Sequence, residues 1–383
     1  MEFDFLQPVN DKILKLVQGF TSQQLGSKIV FHTKDQFPDL NKINIAIIGV
    51  LENRGSDNVD SFVDLSAIRT EFYSMFPGNW DASVADLGDI LAGNSATDTY
   101  FALRKVVSSL IKNKIIPIVI GGSQDLTYAL YRAYDELEQM VNLVSIDSKF
   151  DFGKENETVL ASSFLTKIII DEPNNLFNYC NIGYQTYYNS QEEIDLIEKL
   201  FFDAYRLGEV SNNIAIAEPV FRDADIVSLD LNAVKSSDSG NFVKFMPNGF
   251  NGKEICSLSR YAGISDKVSL FGIFNHNDSV QESVLVAQII WYFIEGFHYR
   301  SHEYPFGSRE NYIKYIVPIE DELLVFYKSD KTDRWWIEIP FVSNGNNKLK
   351  RNTLLPCSYE EYLAACNQEI PERWWKAQRK NVL

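Results

Sequence analysis

Residues 117–125 read Pro-Ile-Val-Ile-Gly-Gly-Ser-Gln-Asp, a short β-branched run that stops at two glycines, with a helical pattern opening at Leu126. A run of this kind fits a strand buried on both faces. Paired glycines permit a tight turn and the close approach of another backbone. Two further stretches end in a similar way: Val144-Ser-Ile-Asp-Ser-Lys-Phe-Asp151 and Asp225-Ile-Val-Ser-Leu-Asp-Leu-Asn232. In the first, Asp147, Lys149 and Asp151 alternate; in the second, Asp230 and Asn232 do. If strand geometry continues, each set points to one side. Open α/β sheets carry their sites at the carboxyl ends of strands, so chemistry is expected at these three ends. A lone aspartate there more often caps a helix or turn. Together, the three ends suggest a polar cluster at one edge of a sheet.

Working outward, Ile43–Gly49, Ile115–Ile120, Leu143–Ile146, Ile168–Ile170, Ile226–Leu229 and Val268–Ile273 read as buried parallel strands. Helical patterns cover Phe101–Lys112, Leu126–Val141 and Gln191–Ala204, and the apolar stretch Val284–Ile294 reads as a buried helix. Strands alternating with helices predict a wound α/β sheet. Asn53–Asp64 and Ser236–Lys253 look like loops. Beyond Tyr304 the texture changes. Ile313–Val317, Glu322–Tyr327 and Trp335–Ile339 read as antiparallel strands, with a turn at Lys328–Asp333. Ser358 with Glu361 makes a capping-box pattern for a helix over Ser358–Asn367. The expected division is a main α/β domain over residues 1–304 and a Trp-rich C-terminal appendage over 305–383. Trp335, Trp336, Trp374 and Trp375 are expected chiefly to bury the appendage on the main domain; a protein-partner surface is the alternative.

Of the 383 residues, 45% are hydrophobic and 23% charged, which excludes a disordered chain. A formal net charge of -16 makes phosphate backbones and anionic lipid poor partners. Cys180, Cys256, Cys357 and Cys366 show no paired spacing and read as thiols of a reducing compartment. No secretory pattern opens the chain, and no apolar run approaches the roughly 20 residues a membrane span needs. The expected location is the cytoplasm. Only four histidines are present, His32, His276, His298 and His302, which argues against a histidine-rich metal site.

The three strand ends make the chain resemble the ureohydrolase superfamily of arginase, agmatinase and formimidoylglutamase. That family's motifs run G-G-D-H-S, D-A-H-x-D and S-x-D-x-D-x-x-D-P. Their order and rough spacing recur here as Gly121-Gly-Ser-Gln-Asp, Asp147-Ser-Lys-Phe-Asp and Ser228-Leu-Asp-Leu-Asn. Ile47-Ile-Gly-Val with Arg54-Gly, Ala67-Ile-Arg, Asp86-Leu-Gly-Asp-Ile (as the family's aspartate-glycine-aspartate turn) and Pro247-Asn-Gly-Phe with Glu254 add further matches, over about residues 40–300. The resemblance implies a three-layer α/β/α fold around a mostly parallel eight-stranded sheet. It also implies a homo-oligomer and, in the family, a pair of manganese ions that hydrolyse a guanidinium or formimino carbon.

The resemblance places the six metal ligands at Gln124, Asp147, Lys149, Asp151, Asp230 and Asn232, and the substrate-binding glutamate at Asn275. Only three carboxylates remain and both imidazoles are gone. Lys149 is expected to fill the space of one ion and tether Asp147, Asp151 and Asp230. The leading expectation is therefore a vestigial pocket with no bound metal and no confident catalytic residue. The protein would act as a binding or scaffolding pseudoenzyme. The alternative is an active formimidoylglutamase- or arginase-like C–N hydrolase with a rearranged site, or one divalent cation held by Asp147, Asp151 and Asp230. A lysine nucleophile at Lys149 is disfavoured, because neighbouring carboxylates raise an ammonium pKa when a nucleophile needs it lowered.

Overall fold

The computed structural model describes residues 2–56, 64–137, 139–154, 158–303, 305, 309–320, 322–339 and 354–382. Part of the expected loop Asn53–Asp64, residues 57–63, lies outside this set. Ten strands form one sheet: β1 (Leu6–Gln7), β2 (Val30–Phe31), β3 (Ile45–Leu51), β4 (Val84–Leu91), β5 (Ile116–Gly121), β6 (Val141–Ile146), β7 (Leu176–Tyr184), β8 (Asp203–Arg206), β9 (Ile226–Asp230) and β10 (Leu270–Phe274). Their order is β1-β4-β3-β5-β10-β9-β6-β7-β8, with β2 also on β4. Only β1 runs antiparallel to its neighbour; the eight longer strands are parallel. Helices cover both faces over two apolar clusters, giving the three-layer α/β/α architecture.

The topology sets the site. Strands β5, β10, β9 and β6 are consecutive neighbours, so Gln124, Asn275, Asp230 and Asp147 leave four adjacent strand ends. Gly122 makes this possible. A Cβ there would sit 1.9 Å from the Glu52 carbonyl oxygen, so only glycine lets the turn after β5 lie against the chain leaving β3. The helix Val280–His298 is buried, as its apolar run predicts. It crosses Gly252–Ile264 closely because Gly263 and Gly296 face the other helix's backbone.

Several expected elements differ. Ile168–Ile170 is the end of a helix, Phe164–Ile170, not a strand: Phe164, Leu165 and Ile168 bury one side against the main core, and packing overrides β-branched preference. The helix opening at Leu126 stops at Arg132, whose guanidinium bonds the carbonyls of Asp171 and Pro173, and Val141 already belongs to β6. The helix from Gln191 ends at Lys199, because Ala204 pairs into β8. Ser236–Lys253 contains a short helix, Ser236–Ser239, and the start of Gly252–Ile264. Strands β4, β7 and β8 were absent from the sequence expectation. Asp86-Leu-Gly-Asp-Ile is not a turn but the middle of β4. There the fully buried Asp86 takes Arg69 Nε at 2.7 Å and the Tyr73 hydroxyl.

The C-terminal region forms a four-stranded antiparallel sheet: β11 (Tyr312–Ile319), β12 (Glu322–Ser329), β13 (Trp335–Glu338) and β14 (Leu354–Cys357). The capping box of Ser358 and Glu361 opens Tyr359–Cys366, and Glu372–Val382 follows. Trp335 and Trp374 are buried in this region's own apolar cluster, more than on the main domain. Trp336 lies under Arg222 at 4.7 Å, and Trp375 meets Phe201 edge-on. Arg222, from the helix Ala217–Asp223, also donates to Trp335 O at 2.9 Å and Cys357 O at 2.8 Å. One buried guanidinium thus bonds the neighbouring strands β13 and β14 of the second sheet.

Two outcomes follow from these buried cations. Arg69→Met keeps the volume but leaves Asp86 unpaired, and lowers stability by about 3–5 kcal/mol; an unchanged urea midpoint by far-UV circular dichroism contradicts this. Arg222→Ala frees two buried carbonyls. Hydrogen exchange at Trp335–Glu338 and Leu354–Cys357 then accelerates, while exchange in β5 and β6 stays as it was.

Candidate functional site

The loops leaving β5, β6, β9 and β10 bring Gln124, Asp147, Asp151, Asp230, Asn232 and Asn275 into one buried polar cluster. Asp230 is the last residue of β9. Its Oδ1 accepts three N–H groups: the backbone and Nδ2 of Asn232, and Nδ2 of Asn275, each at 2.8 Å. Asn275 reaches it because its backbone adopts φ +62° just past β10, with its own N–H on Gly122 O. Asp147 Oδ1 accepts the Lys149 backbone N–H at 2.9 Å; its Oδ2 is buried, and the Asp151 carboxyl and Gln124 amide lie beside the group. Gln124 is buried too, and its Nε2 reaches Ser145 Oγ at 3.4 Å.

Strand geometry does not continue past Ile146. Asp147 to Lys149 form a bend and Asp151 has φ +55°, so the alternating-residue argument does not place these side chains. The loop is held instead by amides that sequence reasoning missed. Asn181 Nδ2 donates to Lys149 O, and Asn189 accepts from Phe150 N–H while donating to Ser148 O. Asparagines scattered over 178–189 carried no spacing signal that would have identified them.

Lys149 corrects the expectation most clearly. Its ammonium forms no ion pair with Asp147, Asp151 or Asp230 among the described residues. It lies 5.9 Å from the centre of the Tyr188 ring. The loop hydrogen bonds turn its stem toward the aromatic face, so no lysine nitrogen stands in for a metal ion. Burial, and then the charge of Asp230, push the Asp147 carboxyl up to about 7. Burial and both neighbouring carboxylates push Asp151 up strongly, and burial raises Asp230 as well.

The donor set does not fit two manganese ions. Gln124 and Asn232 are neutral amides and Lys149 is a cation turned away. Asp230 Oδ1 already has its lone pairs on N–H donors. Among the described residues, no three His, Cys, Asp or Glu side chains are placed to hold a metal. Of the four histidines, His276 lies nearest in sequence, one residue past Asn275. Its ring is engaged by Asp278 and Ser283.

The parallel sheet and the row of strand-end polar groups define an arginase-like α/β/α protein. A family model described as "Arginase: Arginase family" matches residues 44–272, and the chain belongs to that family. Within it the sequence is formimidoylglutamase-like. It is 29% identical over 131 residues to the formimidoylglutamase of Geobacillus thermodenitrificans (33% of this chain, 38% of that one). It is 24% identical over 209 residues to that of Geobacillus sp. strain WCH70 (52% and 64%). The matches thus span less than two thirds of these relatives' own length. In fold, it superposes on Trypanosoma cruzi formiminoglutamase, solved with Mn2+, with a TM-score of 0.62 at 17% identity, over 72% of this chain and 99% of that one.

Asn232→Asp tests the geometry. It replaces a donor to Asp230 with a like charge in a buried cluster and lowers the thermal midpoint, at a cost of about 2 kcal/mol or more. Asn232→Ser costs less. A midpoint equal to wild type in metal-free buffer contradicts the arrangement.

Proposed function

We propose that this arginase-family protein has lost the binuclear manganese site and the hydrolytic activity of its relatives, and acts in the cytoplasm as a binding or scaffolding pseudoenzyme. The observation that carries this reading is the Asp230 carboxylate, whose Oδ1 is saturated by N–H groups of Asn232 and Asn275. Two-metal hydrolysis needs ions that lower the pKa of water and stabilise the tetrahedral intermediate. Amides at 124 and 232 and a lysine at 149 supply neither the charge nor the imidazoles for that. No catalytic step is therefore derived for the pocket. On the same reading, residues 305–383 form an appendage to residues 1–304. The half-exposed Trp375 on that appendage, beside Phe201, supports recruitment of a protein partner or an altered homo-oligomer.

One observation favours a second reading, a C–N hydrolase using a single cation. Asp147 Oδ2 is buried with the Asp151 carboxyl and the Gln124 amide as the polar groups beside the Asp147 carboxyl, and two such carboxylates could share one cation.

Elemental analysis of protein purified from manganese-supplemented culture separates the two, combined with assays for urea, formamide and ammonia release from arginine, agmatine and formiminoglutamate. The pseudoenzyme reading expects substoichiometric manganese and no turnover. Stoichiometric metal accompanied by turnover would overturn it and favour the second.

A further inference from the structure

A second site lies at the far edge of the sheet, where β8 and the helix Ala217–Asp223 meet the C-terminal helix Glu372–Val382. A cavity of about 520 Å³ opens there, within the size range of small-molecule pockets. Arg373 lines it and is nine-tenths buried. Its Nη1 donates to Pro356 O at 2.8 Å, its Nε has no partner, and no carboxylate lies within 4 Å of the guanidinium among the described residues. Glu361, Asp203 and Asp223 favour its charge from a distance, but its one hydrogen bond to a neutral carbonyl leaves room for an anion in direct contact.

The other charges say which anion. The wall carries five carboxylates against two cations, Arg373 and Lys376. Lys376 is already engaged by Glu372 at 2.7 Å, Asp203 at 3.6 Å and Phe202 O. Glu361 accepts the Ser358 N–H as a helix cap. Glu209 and Glu360, exposed on the rim, form no ion pair among the described residues. A phosphate dianion would meet a net negative wall and be repelled. A carboxylate can pair with the part of the Arg373 guanidinium that lines the cavity, and a cation attached to it can satisfy the rim.

We infer that this cavity binds a small zwitterion, with its carboxylate on Arg373 and its cationic group toward Glu209 and Glu360. The site is separate from the Asp147 and Asp230 cluster, so its failure would leave the proposed function untouched.

Isothermal titration of the full chain with L-glutamine, L-arginine and γ-aminobutyrate tests the inference, with acetate, methylammonium and inorganic phosphate as single-charge probes. At least one zwitterion is expected to bind one to one, and none of the single-charge probes to match it. Arg373→Gln should weaken that binding about tenfold or more. Because Arg373 also holds Pro356, the double variant Glu209→Gln/Glu360→Gln serves as a second test. It should leave the thermal midpoint unchanged and weaken the zwitterion several-fold. Three results each overturn the inference: no zwitterion binding below about 10 mM, phosphate or acetate binding as tightly, or affinity that survives both sets of changes.

Discussion

The centre of this molecule depends on how Asp230 is satisfied. A carboxylate at the end of a buried parallel strand must find hydrogen-bond donors or a cation, because leaving it bare in a low-dielectric interior costs several kcal/mol. Here one oxygen takes three N–H groups from Asn232 and Asn275. That choice constrains what surrounds it. Asn275 has to hold a left-handed backbone just past β10, and its N–H is fixed on Gly122 O. Gly122 in turn must lack a side chain so that the β5 turn can lie on the chain leaving β3. The same network that positions the strand ends occupies the lone pairs of Asp230 Oδ1.

Neighbouring carboxylates feel the consequence. Asp147 and Asp151 lie close to Asp230 without an ammonium ion between them, and burial with mutual repulsion raises both toward the neutral form. Lys149 lies toward the Tyr188 face on a backbone that Asn181 and Asn189 hold. The family framework is thus kept in its strands, its glycines and three aspartates. The cluster's aspartates are held largely by amide hydrogen bonds.

Much of this was legible in sequence, and the limits have physical reasons. The strand ends at Gly121, Ile146 and Asp230 could be read because both-face burial leaves continuous apolar runs, and the motif resemblance then ordered the site residues. Four features could not be read. Ile168–Ile170 carries the same β-branched signal whether it packs as strand or helix, and only burial against the core decides. Asp86 looks like a turn aspartate, but Arg69, 17 residues earlier, pays for its burial inside β4. The direction of Lys149 depends on a left-handed Asp151 and on asparagines from β7 and the loop beyond it, contacts that no local spacing encodes. The C-terminal sheet was foreseen in three strands, yet its attachment runs through long-range contacts of Arg222, Lys376 and Trp375 that have no sequence signature.

The central claim is that Asp230 and its neighbours cannot hold manganese as they stand. A titration of the metal-free protein with Mn2+, followed by the six-line electron paramagnetic resonance signal of the free ion, tests it most directly. The triple variant Gln124→His, Lys149→His, Asn232→Asp is titrated alongside. The account predicts that wild type leaves the free-ion signal undiminished up to two equivalents, while the variant, with family ligands restored, quenches it. Quenching by wild type at two equivalents would contradict the account.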